Sequence, residues 1–396
     1  MPQYTIQTKH TSIFGMDVHA RSVVVKGYDW STGKEKSRRF GGCPSAAEIA
    51  EWMRAEFAPT YYATYESGYT GFQLCRDLRA LGIDCDVVAV STIARSDDDR
   101  KRKTDKKDAS RLLSEMLSPK KGKFSVVWVP DEECEAVRDL VRARDDAVEA
   151  LKRSKQQTTA ALTRHGRTWN ERTPTGNLKS MWTKAFMAWA KKADLGQESA
   201  NRALALYIEW VERNAERAEE VSKATLAVSL QPRWKPYVDA LCLLKGVDRQ
   251  TALLLAAEIG DFSRFANGRS VSKWLGTIPS ENSSDEHVAH GKITKDGNSH
   301  CRRALVEGLQ CMSRVCGSAK KPAKGCEVSP AVAAHCRKAN KRLKERYDHL
   351  VYEQKIGSNK AKVAVASEMI RWVWAVGLMV QQELAAGEAA SRPLDS

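Results

Sequence analysis

Asp17 constrains this chain more than any other residue. It stands near the end of an apolar, strand-like run, Ser12-Ile13-Phe14-Gly15-Met16-Asp17-Val18, and a carboxylate in a core strand is costly unless it is paired or metal-bound. A second such run, Tyr61-Tyr62-Ala63-Thr64-Tyr65-Glu66, ends in Glu66. Asp105 and Asp108 lie three apart at the start of a predicted helix and so share one helical face. Four acids in three places that can converge point to a divalent-metal site for phosphoryl transfer. Hard oxygen ligands favour Mg²⁺ or Mn²⁺, and two ions ~4 Å apart clamp the attacking and leaving oxygens of a phosphodiester. Structural alternatives stand beside this reading. Asp105 and Asp108 would complement a helix dipole in its first turn, and Glu66 would serve as a strand end facing water. Asp17 is the hardest to explain away.

The chain of 396 residues has room for two or three domains. Its net charge of +15 points to a polyanionic partner. The charge is concentrated: residues 292–346 hold fourteen Lys and Arg against four acids, and residues 95–123 hold eleven against six. The densest clusters are Arg100, Lys101, Arg102 and Lys103, and then Arg337, Lys338, Lys341 and Arg342. A charge run is usually a solvated face, but this excess favours nucleic acid. The eleven tryptophans read as core or interface residues rather than base-stacking platforms. The start of the chain carries no basic-then-apolar signal pattern. The most apolar stretch, 369–379, is short and contains Arg371, which predicts no bilayer span and a cytoplasmic, nucleoid-associated protein. The ten cysteines form no CxxC pair, and they read as free thiols, although His300 and His335 stand beside Cys301 and Cys336.

Residues 12–130 alternate strand and helix signals. A hairpin through Val23-Val24-Val25 follows the Asp17 strand. Helices are expected over 45–57 and around Phe72, Cys75 and Leu78, with further strands at 84–90 and 124–129. Residues 91–103 read as a charged loop, and Thr104 as a helix N-cap. The pattern predicts a mixed sheet covered by helices. Residues 131–165 read as one long polar helix with a narrow stripe of Val137, Leu140, Val141, Val148 and Leu151, interrupted by Arg144, which suits a helical hairpin or coiled coil. A Trp-rich break over 165–197 precedes a second long helix over 200–230, and residues 237–390 read as mainly helical. Gly246 marks a turn whose following helix would leave N-terminal amides free for a phosphate. Residues 279–298 read as a polar loop. A serine in this cation-rich loop is a candidate nucleophile for a phosphate, with basic groups stabilising the developing charge. The alternative is a plain loop of ordinary turn formers.

Several blocks then carry a resemblance. Phe14-Gly15-Met16-Asp17-Val18-His19, Tyr65-Glu66-Ser67-Gly68 and Lys103-Thr104-Asp105-Lys106-Lys107-Asp108-Ala109 stand in the first half. Leu244-Lys245-Gly246, Trp274-Leu275-Gly276, Pro279-Ser280-Glu281-Asn282-Ser283-Ser284, Gly291-Lys292-Ile293-Thr294-Lys295 and Arg302-Arg303-Ala304-Leu305 stand in the second. In that order and spacing the chain resembles the DEDD-type transposases of the insertion-sequence one-ten family. The resemblance implies an α/β plus all-α chain: a RuvC-like, RNase H-type domain over 1–130 with Asp17, Glu66, Asp105 and Asp108 as metal ligands, a long-helix dimerisation region over 131–235, and a helical C-terminal transposase domain over 236–396 with Ser284 as nucleophile. It also implies a homodimer assembling into a tetramer, a phosphoserine intermediate on donor and target double-stranded DNA, and guidance by a structured non-coding bridge RNA. Lys292, Lys295, Arg302 and Arg303 would meet phosphates. Asp285 stands where such proteins often have glycine, and the Gly246 turn lacks a second glycine. A metal-dependent, junction-resolvase-like nuclease that does not use the serine is the alternative function.

Overall fold

The computed structural model describes residues 9–89, 105–117, 126–284, 287–314, 317 and 319–391, with backbone alone at 105–108, 280–284, 287–292 and 388–391. The chain divides after Asp131 into two compact units.

The first unit is built on a six-stranded sheet. Its strands are β1 (Ser12–Val18), β2 (Ser22–Asp29), β3 (Glu35–Gly41), β4 (Tyr61–Glu66), β5 (Asp84–Val88) and β6 (Val126–Val127), in the order β3-β2-β1-β4-β5-β6. β2 pairs antiparallel with β1 and β3, while β1, β4 and β5 run parallel. This mixed sheet with an antiparallel second strand is the RNase H-like arrangement. Strand alternation sorts the side chains. Phe14, Met16, Ala63, Tyr65, Cys85 and Val87 turn to one face and are buried with α1 (Ala46–Glu56) and α2 (Gln73–Ala80). α1 starts where Ser45 and Glu48 form a reciprocal capping box.

The opposite face, with Ile13, Gly15 and Asp17 on β1 and Tyr62, Thr64 and Glu66 on β4, receives α3 (Asp105–Leu117). Ile13, Tyr62, Leu113 and Met116 form one buried cluster, and Leu112 meets Val88. Gly15 permits the contact. A Cβ there would lie 2.5 Å from the Ala109 carbonyl oxygen and 2.8 Å from the Leu113 amide nitrogen, both backbone atoms that cannot rotate aside.

The second unit opens with α4 (Glu132–Arg164) and α6 (Glu198–Val228), which pack on each other along their lengths. Leu162 clusters with Leu204 and Ile208, and Asn214 donates to the Ala150 carbonyl, so the two helices are antiparallel. The Trp-rich break closes the far end of this hairpin. Trp169 and Phe186, from α5 (Lys184–Lys192), are buried together with Trp182 and Trp189 packed on them. The tryptophans of this segment are therefore core residues.

The rest is mainly helical: α7 (Lys235–Leu241), α8 (Arg249–Ile259), α9 (Gly268–Leu275), α10 (Ser299–Gly308), α11 (Pro330–Asp348) and α12 (Ser358–Ser391). The expected polar loop is instead a two-stranded hairpin, β7 (Pro279–Ser284) and β8 (His287–Ile293). Its turn-forming residues hide the pairing because backbone hydrogen bonds, not a period-two apolar pattern, make it. α12 bears on the expectation of no bilayer span. Over Ser358–Gly387 it is long and apolar enough to cross a membrane by length and composition, because Arg371 does not end the helix. It packs on α7, α9, α10 and α11, and Ala361, Val365, Met369, Ile370, Val373 and Val376 are buried, as expected of a core helix.

Glu258 ties this unit together. Its side chain is 1% exposed and accepts a two-pronged bond from Arg142, at 2.7 and 2.9 Å, and a third from Asn298 at 2.7 Å. Burial alone would push the carboxyl up, but the Arg142 and Asn298 bonds outweigh it and hold it below the ordinary carboxylate value.

Two outcomes follow from this packing. Gly15→Val should lower stability by ~3 kcal/mol by forcing α3 off the sheet, read as a lower midpoint in chemical denaturation. A group whose folded pKa is depressed stabilises above its unfolded value and loses that contribution as pH falls through the folded one. Wild type should therefore lose stability as pH drops below about 4.5, and Glu258→Gln should be weaker at neutral pH by roughly 2–3 kcal/mol, less than for a fully buried pair because Arg142 is half exposed, and flatter with acid.

Candidate active site

Each strand that carries a candidate acid delivers it at the same edge of the sheet. β1 and β4 are parallel neighbours with Met16 level with Tyr65, so Asp17 and Glu66 follow as the next pair at the carboxyl ends. The alternation that buries Met16 and Tyr65 on one face puts Asp17 and Glu66 on the other, under α3. α3 begins with Asp105, and its fifth residue, Ala109, lies on Gly15, two residues before Asp17. The backbone therefore brings the first turn of α3 toward the ends of β1 and β4. The side chains of Asp105 and Asp108 lie outside the described residues, as do Thr104 and the basic cluster Arg100, Lys101, Arg102 and Lys103.

The Asp17 carboxylate is largely buried, 14% exposed, and lies 3.2 Å from Nε2 of His19. Glu66 is held in an ion pair by the guanidinium of Arg111, one helical turn beyond Asp108 on α3. Thr64, level with Gly15 and on the same strand face as Glu66, has a fully buried hydroxyl with no hydrogen-bond partner among the described residues. The donors gathered here are oxygens, which fits a hard divalent cation. Among the described residues no three His, Cys, Asp or Glu side chains gather as a metal cluster. Sequence reasoning missed Arg111 and His19. Both had a signal: Arg111 follows Asp108 at helical spacing, and His19 follows Asp17 at strand spacing.

The serine segment belongs to the second unit. Ser284 is the last residue of β7, level with His287 on β8, with residues 285–286 between them outside the described residues. The root of this hairpin is braced at the end of α9. Thr294 donates to Ile278, Lys295 to Gly276 and Asn298 to Trp274 through their backbone amides. Gly276 has φ +71°, and a Cβ on Gly297 would lie 2.3 Å from the Trp274 carbonyl, so both glycines are required by the close approach. Arg302 donates at 2.8 Å to the Leu275 carbonyl, the last residue of α9. Arg303 pairs with Asp145 at 2.6 Å, beside His300 at 3.1 Å. Both arginines thus already have work inside the fold. Lys295 is exposed, and the side chain of Lys292 lies outside the described residues.

Arg337, Lys338, Lys341 and Arg342 stand on the exposed face of α11, opposite the buried Val332, Cys336, Ala339 and Leu343. The Gly246 turn corrects an expectation. Gly246 has φ +89° and packs on Gly308, as foreseen for a tight turn, but the Thr251 amide at the start of α8 is capped at 2.8 Å by the Asp248 carboxylate. A negative group already sits where a phosphate would have gone. The described cysteines are all free thiols, and the His335 ring lies tilted against Trp372 with ring centres 5.0 Å apart.

A transposase family model of the DEDD type found in IS110 elements matches residues 14–166, and one described as transposase of the IS116/IS110/IS902 family matches residues 238–323. A Sinorhizobium fredii protein bearing the name transposase y4qE is 35% identical over 335 residues, which is 83% of this chain and 78% of that protein. The transposase for insertion sequence element IS1533 of Leptospira borgpetersenii is 30% identical over 66% of this chain and 74% of its own length.

Proposed function

The chain belongs to the IS110 family of DEDD transposases, enzymes that cut and rejoin DNA, and on that footing we propose that Asp17, Glu66, Asp105 and Asp108 hold Mg²⁺ or Mn²⁺ while the Ser284 hydroxyl attacks a DNA phosphate. What carries the reading is the pairing of Asp17 with Glu66 at the ends of neighbouring parallel strands, with the acidic start of α3 brought over them by Gly15. When bound, the divalent cation supplies positive charge against the charge that develops on the phosphate.

The serine step exchanges one phosphodiester for another. The Ser284 oxygen bonds to phosphorus, the bond to a deoxyribose oxygen breaks, and the DNA end stays on the protein as a phosphoserine. Attack by a deoxyribose hydroxyl of another strand releases the serine and rejoins the DNA. Because each bond broken is replaced by one of the same kind, no external energy source is needed. Arg302 braces the hairpin that carries Ser284, Arg303 is held by Asp145, and Lys292 and Lys295 meet phosphate. The exposed basic face of α11, with Arg337, Lys338, Lys341 and Arg342, binds the backbone, and so does the cluster at Arg100, Lys101, Arg102 and Lys103. Such contacts position DNA without reading its sequence. Sequence choice then falls to a structured bridge RNA pairing with donor and target. Exposed Leu206 and Trp210, one helical turn apart on α6, support dimer contacts through the helical hairpin, with two dimers forming the working tetramer.

Ser284→Ala should abolish a protein–DNA adduct that survives denaturing gels, with Mn²⁺ binding intact, whereas Asp17→Asn should lose both. Ser283→Ala should stay active. Cleavage by Ser284→Ala at the wild-type rate would favour the serine-independent nuclease, and an unchanged target after the co-purifying RNA is exchanged would remove the guide RNA. The Arg111 guanidinium competes with any metal for Glu66. Arg111→Met should therefore tighten Mn²⁺ binding about fivefold by calorimetry, the equivalent of one partly buried ion pair, and an equal or weaker affinity would end that competition.

A further inference from the structure

A groove of about 1420 Å³ lies within the second unit, between α11 and α12 and against the root of the β7–β8 hairpin. Its floor is apolar: Val363, Ala364 and Ala375 from α12, with Pro279 and Ile293, which pair across the hairpin's root. Its rim is cationic, with Lys295, Arg342, Arg346, Lys360 and Arg371. One carboxylate, Glu368, lines it, and that group is shared between Arg342 at 3.0 Å and Arg346 at 3.1 Å. At one wall the Trp372 indole lies against the His335 ring. Burial and nearby Lys338 hold the His335 imidazole below its ordinary pKa, so it adds a ring rather than a charge.

We infer that this groove takes an unpaired segment of the DNA strand being cut, its phosphates on the cationic rim and its bases against the apolar floor and the Trp372 ring. The inference rests on the proposed role of Ser284 for its choice of strand. The charge selects a polyanion, since five cations face a single carboxylate. The floor then decides which polyanion. A duplex offers phosphates outward and keeps its base faces stacked inside, so it would cover this floor without matching it. An unpaired strand presents both charged backbone and open base faces. Position supplies the last step. Ser284 lies five residues along β7 from Pro279, about 17 Å at the rise of an extended strand. A strand resting in the groove therefore leads within a few nucleotides to the serine. Strand exchange requires DNA that has left its old partner and not yet met its new one, and the groove would hold it there.

Fluorescence anisotropy on the full chain tests this, with a dye-labelled deoxythymidine oligonucleotide, its oligouridine counterpart and a duplex of equal length. Trp372→Ala should weaken single-stranded DNA at least about fivefold, the scale of one lost base–aromatic stack, and change duplex affinity less than about twofold. Lys360→Gln, at an exposed position that folding does not depend on, should lower the slope of log affinity against log salt by about 0.7 for the single strand, one phosphate contact. Equal weakening of single strand and duplex, or no weakening in Lys360→Gln, overturns the proposal. So does oligouridine being the strand that depends on these residues. Ser284→Ala should bind the single strand as wild type does. A failed serine mechanism would appear in the adduct assay and leave these affinities unmoved, so the two failures are distinguishable.

Discussion

The close approach of α3 to β1 at Gly15 is the constraint on which the first unit depends. Parallel strands alone place Asp17 beside Glu66, but two carboxylates at a strand edge are only a source of repulsion. The helix supplies the remaining components: a first turn with two more acids, and Arg111, whose guanidinium holds Glu66. Every heavier residue at position 15 would meet backbone atoms of α3 rather than a yielding side chain. The helix therefore has one seat, and the position of its first turn is set by the missing Cβ of a residue that takes no part in chemistry. Buried Leu112, Leu113 and Met116 then hold it there through area removed from water.

The second unit solves a different problem. Its serine stands on a two-stranded hairpin, a structure that is marginal alone in water. The stability is borrowed from the root. Backbone bonds from Thr294, Lys295 and Asn298 fasten β8 to the end of α9, and Arg302 satisfies the terminal carbonyl of that helix. Asn298 is at once the N-cap of α10 and a donor to buried Glu258, so the same fastening reaches the salt bridge between Arg142 and α8. A rigid base under a projecting hairpin suits the nucleophilic role proposed for Ser284.

Much of this was legible in the sequence, for identifiable reasons. The strand at Asp17, the hairpin after it, the helix over 45–57 and the two long helices announce themselves through period and caps, which are local. Asp17 declared itself because a charge in an apolar run demands a partner. The β7–β8 hairpin was not legible, since Ser, Asn, Asp and Gly promise turns and its pairing depends on a distant helix end. The same holds for Arg302. In sequence it reads as a cation waiting for phosphate, and only the fold shows its guanidinium on the Leu275 carbonyl. At the Gly246 turn the sequence reading passed over Asp248, whose carboxylate fills the amide site a phosphate would have used.

Charge is thus used in two ways along one chain. Buried or half-buried cations such as Arg138, Arg142 and Arg302 are consumed by carbonyls and carboxylates of the fold, and their positive charge is not offered outward. Those on the exposed face of α11 and around the groove are set over apolar or solvent-facing surface, where a screened charge contributes little to stability. Cations that do little for the fold and cluster at one place are the ones whose position is explained by a polyanion. By that criterion the net charge of +15 overstates the DNA-binding surface. Even on α11 part of the charge is already shared inside the fold, since Arg342 and Arg346 both hold Glu368, whereas Arg337 and Lys338 are exposed on its outer face.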